Sequence, residues 1–213
     1  HQLPSQMTLF SQINTILERD LKLLVQTTIN YRLLRLLLSR LAYRIGTPID
    51  WTSLGRETRI SVPTIKKLVD AMESMYLIRI IPTQGSRQKP VIFFEDAGEA
   101  RYVAENFHSP FVPLLSVLFS TIHPQIAYRP ELGIRIYQYR TRSGAVVPLC
   151  YRTESSHLGI LPLLDEVPTK TEIASARSYV KCVPHAKALL VHTGKQDTLV
   201  DKNIRVLGIS KLF

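Results

Sequence analysis

The chain has 213 residues, enough for one large domain or two small ones with cores of their own, and its recurrent apolar residues exclude intrinsic disorder. Two cysteines, Cys150 and Cys182, with no Cys-x-x-Cys, exclude a disulfide framework and a four-cysteine zinc site and suit a reducing cytoplasm. The net charge of +10 is no tail, since residues 1–96 carry 13 Lys/Arg against 8 Asp/Glu and residues 97–213 carry 14 against 9. Such a surface either attracts polyanions, nucleic acid first among them, or serves solubility alone. No apolar run reaches the roughly 20 residues that a bilayer span needs, and no signal peptide is visible, so a cytoplasmic location without membrane contact is expected. The start at His1 rather than Met suggests a piece of a longer protein.

In chain order, Leu9, Ile13, Ile16, Leu17, Leu21 and Leu24 fall at helical spacing and predict a helix over 8–25. A second helix is expected from about Asn30 to Arg44, with a stripe of Leu33, Leu34, Leu37, Leu38 and Leu41 edged by Arg32, Arg35, Arg40 and Arg44, and with Gly46 and Pro48 to stop it. Those arginines are read as snorkelling rims of a core helix, with phosphate contact as the alternative. Asp50 is an N-cap for a short helix, Trp51 to Thr58. Arg59–Ser61 is a tight connector, and Ser61 caps a longer helix with Pro63 in its first turn. That helix buries Ile65, Leu68, Val69 and Met72 and leaves Thr64, Lys66, Lys67, Asp70 and Glu73 outside. A β-rich run at Tyr76–Ile81, a polar turn at Gln84–Lys89 and a second run at Val91–Phe94 complete the order of a winged helix-turn-helix, with the helix-turn-helix over about 50–81 and the wing over about 82–94.

Residues 97–125 are expected to be helical, broken by Pro110 and Pro113. Strands are then expected at Ile134–Thr141, Val146–Tyr151, Leu158–Leu164, Ala188–His192 and Ile204–Ile209, with a hairpin turn over Arg142–Ala145 and an amphipathic helix over Thr169–Val183. The pattern gives an α+β chain. Residues 1–96 form a helical region carrying the winged helix-turn-helix, and residues 97–213 form a mixed sheet with a helical layer.

Motifs for catalysis are missing. There is no Gly-x-x-x-x-Gly-Lys-Ser/Thr, and Val191-His-Thr-Gly-Lys195 lacks both the upstream glycine and the hydroxyl residue after the lysine. No two histidines stand at metal-ligand spacing. Cys182 and His185 could form a thiolate–imidazole pair, against the default of a packed cysteine and a surface histidine. A DNA-binding surface would use Ser61, Thr64, Lys66 and Lys67 of the longer helix, flanked by Arg59 from the turn and by Arg87 and Lys89 from the wing. Against it, winged helices also dock proteins, and Asp70 and Glu73 would repel phosphate.

Ile16-Leu-Glu-Arg-Asp20, Thr64-Ile-Lys-Lys-Leu68, Leu77-Ile78, Phe93-Phe-Glu-Asp96 and Tyr139-Arg-Thr-Arg-Ser-Gly144, in that order, resemble the C-terminal half of a prokaryotic family of AAA+ ATPases. In that family the ATPase module is followed by a winged helix and a domain related to PD-(D/E)xK nucleases. The resemblance implies a restriction-endonuclease-like fold for residues 97–213. This chain departs from the family where the chemistry would occur. Val146 and Pro148 take the places of an acidic residue and an aspartate, and the next strand ends in Ile160-Leu-Pro-Leu-Leu-Asp-Glu166 with no acid-x-Lys. Such nucleases hold Mg²⁺ with two carboxylates and use a lysine on water, so the residues left, Asp165 and Glu166, give weak metal binding at best.

The expectation is therefore a non-catalytic DNA-binding or regulatory region associated with an AAA+ ATPase, with double-stranded DNA as partner and with no cofactor, metal or catalytic residue. The alternative is a protein-interaction or self-association module built on the leucine-rich N-terminal helices. A residual metal-dependent nuclease is the outside reading.

Overall fold

The computed structural model describes residues 4–26, 28–85, 89–104 and 110–212. Helices dominate the first half and a mixed sheet the second, an α+β arrangement. The chain forms two compact units, His1–Ile80 with Ile92–Ser116, and Ile81–Val91 with Val117–Phe213. A single boundary near residue 96 is thus replaced by three crossings. Two arise because residues 83–85 hydrogen-bond into the large sheet. The third arises because the prolines do not break the helix after residue 110. Pro110 precedes it and Pro113 lies in its first turn, where no N–H is needed.

The first unit begins with α1 (Pro4–Thr15), which runs through a π-helical turn (Ile16–Asp20) into α2 (Leu21–Val25). The π turn has a physical consequence. Ile13, Leu17 and Leu21 repeat every four residues and would drift round an ideal helix, but the wider turn keeps all three fully buried. Leu24, expected in the same stripe, is exposed instead. Asn30 caps α3 (Tyr31–Ala42), its side chain accepting from the Leu33 N–H, and Leu34, Leu37, Leu38, Leu41 and Ala42 are buried. Three of the four arginines beside this stripe are used internally, while Arg32 is exposed. Arg44 donates to Glu57, Arg40 forms an ion pair with the same carboxylate at 3.4 Å, and Arg35 lies over the Tyr102 ring. The helices α4 (Trp51–Thr58) and α5 (Val62–Ser74) follow, then β1 (Ile78–Ile81), β2 (Thr83–Gly85) and β3 (Val91–Phe94). β1 and β3 form a two-stranded sheet, and α6 (Ala97–Ala104) closes the unit with the first turns of α7 (Phe111–Ala127).

The second unit is a seven-stranded sheet in the order β2-β4-β5-β6-β7-β9-β8. β4 (Arg135–Arg140), β5 (Val146–Arg152) and β6 (His157–Pro162) form an antiparallel meander. The crossover α8 (Lys170–Cys182) returns the chain to β7 (Ala186–His192), parallel to β6. β8 (Asp197–Asp201) is a largely exposed edge strand with no apolar run to announce it, and β9 (Ile204–Gly208) pairs with both β7 and β8. Within the meander, Tyr137 faces Cys150 and Tyr139 faces Val147, so one residue of β4 is set against Pro148 and Leu149 of β5. This bulge falls at a residue that has no N–H to give to the ladder.

α8 starts with a full capping box, Thr169 and Glu172 satisfying each other's backbone N–H groups. Its Tyr179 lies over Gly159, where a Cβ would stand 2.6 Å from the Tyr179 ring and 2.9 Å from Val147. Among the described residues no helix is long and apolar enough to cross a membrane. Gly159→Ala is expected to force the helix and sheet apart locally and to cost about 1–3 kcal/mol in urea unfolding. A midpoint unchanged from the parent chain would contradict this account of the packing.

Candidate nucleic-acid interface

The residues singled out on the first unit lie on one local construction, α4 and α5 with the turn between them. Asp50 accepts from the N–H groups of Thr52 and Ser53 and so fixes the start of α4. At its end Thr58 is buried, its hydroxyl donating to the Leu54 carbonyl at 2.7 Å. Arg59 then takes a left-handed conformation, φ 57°, and ends the helix. Gly55 permits the sharp return, since a Cβ there would meet the Ile60 carbonyl oxygen at 3.2 Å.

Ser61 caps α5, accepting from the Thr64 N–H at 3.3 Å, and its hydroxyl lies 2.7 Å from that of Thr64. Both hydroxyls are thus committed to the first turn of α5, where backbone N–H groups and the helix dipole favour anions. Lys66 and Lys67 are exposed one turn further on, and Arg59 is exposed in the connector. The Lys66 ammonium sits 5.8 Å from the centre of the Trp51 ring, a cation–π contact that ties α5 back to the start of α4. Arg56, which sequence patterning does not single out, is a further exposed cation on α4.

Of the two acids expected to oppose phosphate, Asp70 is exposed. Glu73 is instead half-buried, its carboxylate accepting from the Ile80 N–H at 2.8 Å, so it serves to dock β1 on α5. The residues expected to form the wing are placed differently. Residues 83–85 are no part of a free polar turn; they are the parallel edge strand beside β4. Lys89 is exposed but belongs to the second unit, and its carbonyl accepts from the Thr83 hydroxyl at 2.8 Å. Arg87 lies outside the described residues.

The second unit places the residues of the nuclease comparison in structural roles. Pro148 is buried in β5, and Val146 is half-buried at its start. Asp165 is exposed after β6, whereas Glu166 accepts from the Gln196 N–H at 3.2 Å and packs on Gly194, where a Cβ would collide with its carboxylate. His192 is fully buried. Its Nδ1 accepts from the Gly194 N–H and its Nε2 donates to the Gln196 carbonyl, so the His192–Gln196 stretch is a tight loop held from both sides. Among the described residues no three His, Cys, Asp or Glu side chains gather to hold a metal ion. Cys182 is exposed and lies beside the Tyr139 hydroxyl, while His185 occupies a left-handed turn.

Residues 3–107, just under half of the chain, match a family model described as a domain of unknown function (DUF8612). No curated protein and no solved structure matches the chain.

One titratable group in the first unit departs from what its sequence context suggests. Glu99, buried in the first turn of α6, has its carboxyl pushed up to about 7, first by burial and then by the charge of Asp96. An unfolded chain would ionise this group at 4.5, so between 4.5 and 7 the folded state holds the extra proton. Its contribution is therefore full below the lower value and is lost as pH rises through the upper one. Glu99→Gln is expected to stabilise the chain above pH 7 by about 1–2 kcal/mol, after allowance for solvent screening, and to flatten stability between pH 5 and 7. Thermal melts across pH check this, and a variant with the parent's pH slope would contradict it.

Proposed function

We propose that the chain is a non-catalytic DNA-binding or regulatory module whose first unit is a winged helix. The observation that carries this reading is the capped start of α5, where Ser61, Thr64, Lys66 and Lys67 lie within two turns of a helix that follows a tight connector. Such a helix meets base edges and phosphates with its N-terminal residues. The order α4, turn, α5, then the paired strands β1 and β3, supports the reading, as does the basic surface. The antiparallel meander followed by α8 and the parallel β7 supports a nuclease-like second unit without nuclease chemistry. The family resemblance would set this module beside an ATPase.

Binding to a mixed-sequence duplex should be micromolar at low salt and fall steeply as salt rises, because each neutralised phosphate releases condensed cations. Exchanging Lys66 and Lys67 for glutamate should weaken it tenfold or more and lower the salt slope by about one for each phosphate no longer neutralised. Fluorescence anisotropy across a salt series is the measurement, and equal affinity in the double variant would sink the proposal.

A self-association module is the second reading, favoured by Leu23 and Leu24, which are 72% and 57% exposed beside each other at the end of α2. It requires mass to rise with concentration in light scattering and to stop rising in Leu23→Glu/Leu24→Glu. A monomer at all concentrations removes it.

A further inference from the structure

Three polar side chains form one row across the large sheet. Arg135 of β4 lies directly opposite Arg152 of β5, and Arg152 lies directly opposite His157 of β6. Directly opposed residues of antiparallel strands project from the same face, so two guanidiniums and an imidazole stand side by side. Like charges in that position repel. Among the described residues neither arginine has a carboxylate within ion-pair distance. All three side chains line a groove of about 810 Å³, together with Thr153 and Ser155. The two arginines also line an adjoining hollow of about 340 Å³. Two carboxylates, Glu131 and Glu154, both exposed, line the same groove.

The imidazole is held from behind. His157 Nδ1 lies 2.8 Å from the Tyr137 hydroxyl, which lies 3.1 Å from that of Tyr179. Both hydroxyls carry their protons, and burial raises both phenols above their ordinary value, Tyr137 to about 12. In the arrangement in which Tyr179 donates to Tyr137 and Tyr137 donates to Nδ1, one of the two that these distances allow, the imidazole proton resides on Nε2, which becomes a third donor beside the two guanidinium forks. A single fork already engages both oxygens of a carboxylate. Two forks and a further N–H suit a tetrahedral anion with three free oxygens.

We propose that Arg135, Arg152 and His157 bind a phosphate group, carried by a free nucleotide or by a nucleic-acid strand. The site lies wholly within the second unit and does not rest on the α5 surface.

The test titrates the full chain with adenosine monophosphate and, separately, with a short single-stranded oligonucleotide at low salt, each read by amide chemical shifts and by melting temperature. The expected result is saturable shifts centred on residues 133, 135 and 152–157 and a ligand-induced rise in melting temperature. Arg135→Gln/Arg152→Gln should weaken binding tenfold or more while melting no lower than the parent, since it removes a repulsion. Lys66→Glu/Lys67→Glu should leave the monophosphate affinity within twofold of the parent. Binding of the monophosphate assigns the site to free nucleotides, and shifts at these residues with the oligonucleotide alone assign it to strand phosphates. Failure of both ligands to shift these residues, or equal affinity in the double glutamine variant, would overturn the proposal.

Discussion

The second unit depends on a contact between a helix and a strand position that has no side chain. Gly159 leaves room on β6 for the ring of Tyr179, and that ring decides how closely α8 approaches the sheet. Tyr139 meets it edge-on at 5.2 Å, and Tyr137 reaches its hydroxyl. The crossover that makes β7 parallel to β6 thus has its depth set by one aromatic wedge, with the capping box at Thr169 fixing where the helix begins. Three tyrosines in a core dominated by aliphatic residues would each bury a polar atom at a cost. Here the hydroxyls reach one another, His157 and Ser178. The polar chain ends at the groove rather than inside the core.

In the first unit the organising effect is local and hydrogen-bonded. Asp50 and Ser61 each complete the opening turn of a helix, Arg59 supplies the left-handed stop between them, and Gly55 lets that stop fold back on α4. The cations near this turn are therefore presented by a rigid backbone, and Lys66 is further steadied against Trp51. Arg35, Arg40 and Arg44 differ in kind. Their engagement with Glu57 and Tyr102 makes them part of the packing, as the leucine stripe suggests.

Features carried by short-range chemistry are legible in the sequence. The caps at Asp50 and Ser61, the stripes of α3 and α5, the helix over Thr169–Val183 and the turn over Arg142–Ala145 follow from residue types at fixed spacing. Features fixed by strand register are not. β2 is three residues long and gains its place only from pairing with β4. β8 is polar and lies at an edge. The π turn replaces the expected Leu24 contact with a wider repeat that an ideal helical period does not anticipate. Arg135, Arg152 and His157 are separated by 17 and 5 positions along the chain and become neighbours only through the ladder. Glu73 reads as a surface acid because helical spacing alone does not reveal an unpaired strand N–H nearby.

The bulge at Pro148 bears on what this chain could become. A proline in an inner strand alters the path of the main chain, so the positions beside it are aimed differently from those of a regular ladder. An aspartate introduced at 148 would add a carboxylate but not, by itself, the regular pairing needed to aim it. A metal-binding strand at this place would need two coordinated changes, one in side-chain chemistry and one in backbone register, and neither confers the benefit alone.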